Sequence, residues 1–138
     1  MPEEAIDHTK PQCFERPDGL KSYYVGGQVE WDIPHDGKKE KGPFTRHGMA
    51  RNFYPNGQPH IQRTYVDGKI QGVETEWYPD GKVACQITFV DDVRHGPYAR
   101  WHPNGEKDLE GKYVNGELKG WFRRWDEQGK LWLEQVIA

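Results

Sequence analysis

Apolar and polar residues alternate along this chain in short runs that are separated by turn residues. In residues 73–77, Val73, Thr75 and Trp77 alternate with two glutamates. A period of two predicts a β-strand whose successive side chains point to opposite faces of a sheet. Three side chains share one face of the next run: Cys85, Ile87 and Phe89. Equivalent triplets stand in the neighbouring runs: Ile61, Arg63, Tyr65 and Leu109, Gly111, Tyr113.

The same pattern returns every 24 residues, which identifies an internal repeat. A glycine recurs at this step at Gly48, Gly72, Gly96 and Gly120. An aromatic residue recurs at Phe53, Trp77, Trp101 and Trp125. A second aromatic recurs at Tyr65, Phe89 and Tyr113, with Ile137 in the fourth unit. So many positions in one register indicate tandem copies of a single structural unit.

Turn residues divide each unit into two strands. The first turn is Pro-Asn-Gly or Pro-Asp-Gly, at residues 55–57, 79–81 and 103–105, and becomes Glu127-Gln128-Gly129 in the last unit. The second turn is Asp67-Gly68, Asp91-Asp92 or Asn115-Gly116. Asn-Gly and Asp-Gly supply the positive φ angles of tight hairpins, and the preceding proline marks a strand end. Each unit is therefore predicted to be a β-hairpin.

Three segments follow from the repeat. Residues 48–138 hold four units of 24 residues, and residues 14–47 are interpreted as degenerate units that form an N-terminal cap. Residues 1–13 are interpreted as an irregular tail. The fold class predicted is all-β, an elongated twisted antiparallel meander of stacked hairpins. The apolar last strand, residues 131–138, is either a cap or an edge at which the chain associates.

Composition adds few constraints on function. The formal net charge is −3, so neither nucleic acid nor an anionic membrane is an expected partner. The chain has no signal-peptide pattern and no long apolar run, which favours a cytoplasmic location. Cys13 and Cys85 lack the spacing of a zinc motif or a disulfide framework. Cys85 is expected to be a buried small apolar residue.

Catalytic chemistry has little support in the sequence. His47 and His95 each precede a repeat glycine, but two units should place them ~19 Å apart, too far for one metal ion. Glu74, Glu76 and Asp80 sit at repeat positions that hold Ala50, Asn52 and Asn56 in the first unit. Ser22 is the only serine, and no phosphate-binding loop is present. We expect no enzymatic activity, no cofactor and no metal.

The repeat resembles a known family. Gly72 through Trp77-Tyr78-Pro79-Asp80-Gly81, and Tyr113-Val114-Asn115-Gly116 through Gly120, are similar to the bacterial variant of the MORN repeat. That variant is typical of the YwqK-type antitoxin family. The resemblance implies a non-enzymatic protein that neutralises a cognate toxin by direct binding. It departs from the eukaryotic consensus, which begins Tyr-x-Gly-x-Trp.

The partner surface is assigned to rings and arginines of the last two units. The residues predicted to bind a partner are Arg100, His102, Arg124 and Trp132. The competing interpretation is that Trp77, Trp101 and Trp125 simply form the thin core of the sheet. A scaffold or self-assembling module that pairs through its edge strand is the alternative function. Stacking of single-stranded nucleic acid on the rings is the less favoured use of this surface.

Overall fold

The computed structural model describes residues 12–16, 19–23, 29–34 and 46–138, with side chains for 46–138. The described residues form thirteen strands of one antiparallel sheet. The strands are β1 Gln12–Arg16, β2 Gly19–Tyr23, β3 Val29–Pro34, β4 Gly48–Phe53, β5 Pro59–Val66, β6 Lys69–Ile70, β7 Gly72–Trp77, β8 Val83–Val90, β9 Val93–Trp101, β10 Lys107–Val114, β11 Glu117–Leu118, β12 Gly120–Trp125 and β13 Leu131–Ile137.

Strand order follows chain order, so the sheet is a meander. The long strands run β1-β2-β3-β4-β5-β7-β8-β9-β10-β12-β13, and the two-residue strands β6 and β11 pair with β5 and β10. This arrangement confirms the all-β antiparallel meander that the repeat predicts. β1 begins at Gln12, inside the segment interpreted as a tail. Most of the lengthened segment between Trp31 and His47 lies outside the described residues.

The first turn of each unit is held by the same two backbone bonds. In the first unit Gly57 N donates to Tyr54 O at 2.9 Å, and Tyr54 N donates to Gln58 O at 2.8 Å. Gly57 has a φ of 87°. Asn56 is not among the residues with positive φ, so Pro55-Asn56 forms the body of the turn and only the glycine needs the left-handed region.

The second turn uses positive φ at both central residues. Asp67 and Gly68 have φ of 49° and 84°, the pattern of a type I′ hairpin. In the second unit Asp91 and Asp92 adopt 48° and 68° without any glycine. Asp92 Oδ1 accepts the N–H of Ile70 at 2.7 Å, which offsets part of the cost of that conformation.

The two faces of the sheet differ in burial. The cysteine face carries Cys85, Ile87 and Phe89, as predicted, and Cys85 is 7% exposed, which confirms its predicted burial. The described residues classed as buried are Ala50, Asn52, Tyr65, Ala84, Cys85, Phe89 and Leu109. All of these except Ala84, which lies at a register shift, belong to the cysteine face.

The tryptophan face carries Trp77, Trp101 and Trp125 and is more open. These three rings are only partly buried, so the interpretation that they form the core is wrong. A single-layer sheet has no second layer to cover the large rings. Each ring also lies at or beside a register shift close to the first turn, where side chains are less closely flanked. The core is a thin row on the opposite face.

Side-chain bonds join consecutive units. The hydroxyl of Tyr54 donates to Trp77 O at 2.6 Å, and the hydroxyl of Tyr78 donates to Trp101 O at 2.6 Å. His102 holds the same repeat position, and its Nε2 bonds Trp125 O at 2.8 Å. The residue that recurs before each Pro therefore satisfies a backbone carbonyl of the next unit, which fixes the stacking distance.

Candidate functional site

Three of the four residues predicted to bind a partner meet around Asp108. Arg124 donates to Asp108 Oδ1 at 3.1 Å, and His102 Nε2 lies 3.8 Å from the same oxygen. The Arg124 guanidinium also stacks on the ring of Trp132, 5.2 Å from its centroid. A carboxylate, a guanidinium and an indole are thus linked between strands β10, β12 and β13. This cluster is polar at its centre and aromatic at its outer end.

Arg100 lies beside this cluster rather than within it. It stands on β9, where it is paired in register with Cys85 on one side and Leu109 on the other. A side-chain hydrogen bond to Tyr98 raises the pKa of its guanidinium above the ordinary value, which keeps it charged at all working pH values. Arg100 is exposed, so its cation is available to a partner.

Sequence reasoning missed Asp108. It sits at the register shift between Lys107 and Leu109, where the bulged strand turns an additional side chain toward the cluster. Its repeat equivalents are His60, Ala84 and Trp132, which share no chemistry. A position that changes in every unit gives no periodic signal.

Exposed apolar side chains concentrate at the last two strands. We define the C-terminal patch as Trp121, Leu131, Trp132 and Val136, which are 55%, 43%, 57% and 64% exposed. Trp121 and Val136 are directly paired across β12 and β13. Among the strands that the structure describes, β13 has β12 as its single neighbour. Large exposed rings beside an open edge are features of protein interaction surfaces.

A groove of about 570 Å³ lies on the tryptophan face across β8, β9, β10 and β12. Trp101 and Lys107, which are paired in register, lie at one end. Pro97 and Lys112 are paired at the other end, where Trp121 also lines the groove. Its middle is formed by Ala99 and Glu110, which face each other between β9 and β10.

Glu110 forms ion pairs with two of the cations that line the groove. Lys107 Nζ donates to its carboxylate at 2.8 Å, and Arg123 Nη1 lies 3.5 Å from it. The hydrogen bond from Lys107 lowers the pKa of Glu110 below its ordinary value, and partial burial opposes this shift. Arg123 also pairs with Glu134 at 3.2 Å and covers the Trp121 ring at 5.2 Å. The carboxylate is therefore ionised and held between two cations.

The other candidate chemical groups have structural contacts. His47 Nδ1 accepts the N–H of Asp67 at 3.2 Å, and His95 Nδ1 accepts the N–H of Asn115 at 3.0 Å. Each ring thus braces the second turn of the unit that begins at the next residue. Burial raises the pKa of the Cys85 thiol, which makes the reactive thiolate scarce at neutral pH. No group of three or more metal-ligating side chains occurs within the described part of the chain.

Solved structures with similar backbones give distant matches. TarM is 16% identical, with a TM-score of 0.45, and the match covers 80% of this chain and 21% of the TarM chain. The accessory secretory protein 1, 2 and 3 structure from Streptococcus pneumoniae is 19% identical, with a TM-score of 0.30, over 91% of this chain and 18% of that chain. The chain spans about a fifth of the length of these proteins.

The remaining comparisons concern sequence. No curated protein sequence matches the chain. No helix among the described residues is long and apolar enough to cross a membrane. The family described as MORN repeat variant matches residues 46–67 and 70–91. These two spans are one repeat step apart and coincide with the first two complete hairpin units. The chain therefore carries two adjacent units that match the MORN repeat variant.

Proposed function

We propose that this chain is a non-enzymatic protein-binding repeat protein, and that it is a bacterial antitoxin or immunity protein which neutralises a cognate toxin by direct contact. The coarse part of this proposal rests on the matched MORN units, since such repeats typically serve binding or structural roles. The finer part rests on the resemblance to the YwqK-type family. It also requires that this chain and its toxin share the cytoplasm.

The single observation that carries the proposal is the C-terminal patch beside the Asp108 cluster. Trp121, Trp132 and Val136 are each more than half exposed, and Trp132 is braced by Arg124. Rings and arginines at such sites contribute most of the affinity of protein interfaces. A toxin that wraps around the β13 edge would cover Trp132 on one face and Trp121 with Val136 on the other, and its active surface would be occluded by the sheet.

The test is neutralisation followed by affinity measurement. The gene beside the one for this chain is expressed alone and together with this chain, and growth is compared. Restored growth and co-purification of the two products support the proposal. Growth arrest that this chain does not relieve, or a neighbour that causes no arrest, contradicts the antitoxin assignment.

Alanine variants then locate the contact. Trp132→Ala and Arg124→Ala should each weaken toxin binding by about 2 kcal/mol or more, roughly 30-fold. Arg100→Ala and His102→Ala test the remaining predicted residues. Val73→Ala is the matched control, because Val73 is 53% exposed on a strand distant from the patch. Unaltered affinity in all four variants would remove this surface from the proposal.

The exposed edge of β13 favours a second candidate, a self-assembling scaffold. β13 offers seven residues and carries no lysine or proline, the residues that commonly block pairing of edge strands. Light scattering after size exclusion distinguishes the two functions. A concentration-dependent oligomer that Val136→Lys disperses supports the scaffold, whereas a monomer at all concentrations excludes it.

A further inference from the structure

We propose that the groove on the tryptophan face binds an extended, acidic segment of the partner protein. This inference rests on the proposed protein-binding function and adds the chemistry of the bound segment. It concerns the face opposite the Asp108 cluster. The C-terminal patch connects the two surfaces, because Trp121 belongs to the patch and also lines the groove.

The shape of the groove depends on one small residue. Ala99 lines the middle of the groove, and its repeat equivalents are Arg51, Thr75 and Arg123. A larger side chain at this position would occupy the space between Trp101 and Pro97. From Pro97 to Trp101 the strand rises four residues, or ~14 Å. That length accommodates about four residues of an extended polypeptide.

The charge of the groove is opposite in sign to that of the whole chain. Lys107, Lys112 and Arg123 contribute three cations and Glu110 contributes one anion, a sum of +2, whereas the chain carries −3. Glu110 is already paired with Lys107 and Arg123. Lys112 has no ion pair among residues 46–138, and it is exposed. A carboxylate of an incoming segment would find Lys112 unpaired.

Apolar surface at both ends of the groove favours apolar side chains at the other positions of the bound segment. Trp101 lies at one end and Trp121 at the other, and Trp121 is 55% exposed. Side chains of an extended peptide alternate, so residues that face the sheet recur every ~6.8 Å. A segment in which acidic and apolar residues alternate would place apolar groups on the rings and carboxylates beside the cations.

A single-stranded nucleic acid fits the groove less well. The Glu110 carboxylate lies in the middle of the groove and would repel phosphates. One face of the Trp121 ring is already covered by Arg123 at 5.2 Å, which leaves less ring surface for a base. A net charge of +2 is also small compared with the number of cations by which proteins bind a phosphate backbone.

The test uses a fluorescein-labelled peptide of eight residues in which Glu alternates with Leu. Its binding to the full chain is measured by anisotropy, beside the same peptide with Gln in place of Glu and a labelled ten-residue oligothymidylate. We expect the acidic peptide to bind about tenfold more tightly than the Gln peptide at low salt, and the difference to shrink as salt rises.

Two variants and one control locate the contact. Ala99→Arg should weaken the acidic peptide about tenfold although it adds a cation, because it fills the groove with a side chain that other units hold at this position. Lys112→Glu should weaken it about fivefold by charge reversal. Lys69→Glu makes the same change in net charge outside the groove, at a position where the third unit has Glu117. It should leave affinity within about twofold.

Circular dichroism checks that each variant is folded. If Ala99→Arg is not folded, it is replaced by Ala99→Thr, which introduces the residue found at the equivalent position Thr75. Equal binding of the Glu and Gln peptides, no binding at millimolar peptide, or acidic-peptide affinity unchanged by both groove variants overturns the proposal. Tighter binding of the oligothymidylate assigns the groove to nucleic acid instead. If the groove variants still neutralise the toxin at full affinity, the groove assignment fails while the antitoxin function stands. If no toxin is found, peptide binding is still measurable.

Discussion

The bond between Tyr78 and Trp101 allows a direct test of how the units hold each other. Tyr78→Phe removes the hydroxyl that donates to Trp101 O at 2.6 Å and leaves the ring in place. A typical hydrogen bond contributes ~0.5–1.5 kcal/mol, and a buried carbonyl left without a donor costs ~1–3 kcal/mol. The carbonyl is partly buried, so we expect the free energy of unfolding to fall by about 1–2 kcal/mol.

Urea denaturation followed by tryptophan emission and circular dichroism measures this loss. With an m-value of ~2 kcal/mol/M, the midpoint should fall by roughly 0.5–1 M. Tyr113→Phe is the matched control. Its hydroxyl makes no hydrogen bond within residues 46–138, and its ring keeps the contact with Arg94 at 5.5 Å. Equal midpoints for wild type and Tyr78→Phe, or equal losses in the two variants, would refute the claim that this bond holds adjacent units together.

The same residue predicts a pH dependence. Burial raises the pKa of Tyr78 above its ordinary value of 10.0. A group whose pKa is higher in the folded state stabilises the fold below the unfolded pKa and loses that contribution as pH rises through the folded pKa. The stability difference between wild type and Tyr78→Phe should therefore be constant from pH 7 to 9 and shrink above pH 10. A difference that grows in alkali would contradict the assignment.

Five further variants test the turns, the close contacts and the groove, each by urea denaturation. Gly96→Ala should lower the free energy of unfolding by about 1–3 kcal/mol, because Gly96 has a φ of 123° and a Cβ there would lie 3.0 Å from Thr88. Gly57→Ala should lower it less, because Gly57 has a φ of 87° and a Cβ there would meet nothing within 4 Å. Asp92→Ala should destabilise by about 1–3 kcal/mol, because it loses the bond to Ile70 N and the tolerance of Asp for positive φ, whereas Asp92→Asn keeps both and should be nearly neutral. Glu110→Gln should destabilise at pH 7, and the difference should disappear as pH falls through the lowered pKa of Glu110; a difference that persists at pH 2 would rule out the ion pair with Lys107 as its cause.

The sequence predicted the hairpin frame because turn chemistry and strand alternation are local. The first turn of the fourth unit shows that this local chemistry tolerates substitution. Glu127-Gln128-Gly129 has lost the Pro-Asn pair, yet Gly129 N still donates to Asp126 O at 3.0 Å and Gly129 has a φ of 82°. Asp126 also accepts the N–H groups of Gln128 and Lys130, which replaces the bond that Asn56, Asp80 and Asn104 supply in the other units. One glycine in the left-handed region was sufficient to define the turn.

The position of the core could not be read from the same pattern. Both faces of the alternating strands carry aromatic rings, and their relative burial depends on how neighbouring strands flank them. Register shifts near Trp77, Trp101 and Trp125 leave those rings half covered, whereas Tyr65 lies over regular pairing. The bulges also place Asp108 beside Arg124, a contact between residues sixteen apart that no periodic signal encodes.

The surfaces proposed for binding are made by residues that differ between units, and the sheet itself explains why. The structural contacts recur every 24 residues: the backbone pairing, the two turns and the bonds between units. The residues that make these contacts must therefore recur as well. Ala99 stands where two other units hold arginine, and Trp132 stands where others hold His60, Ala84 and Asp108. Exchanging residues between equivalent positions therefore separates the two roles. A swap such as Ala99→Arg should preserve the midpoint of unfolding and weaken peptide binding about tenfold, whereas Gly96→Ala should lower the midpoint of unfolding.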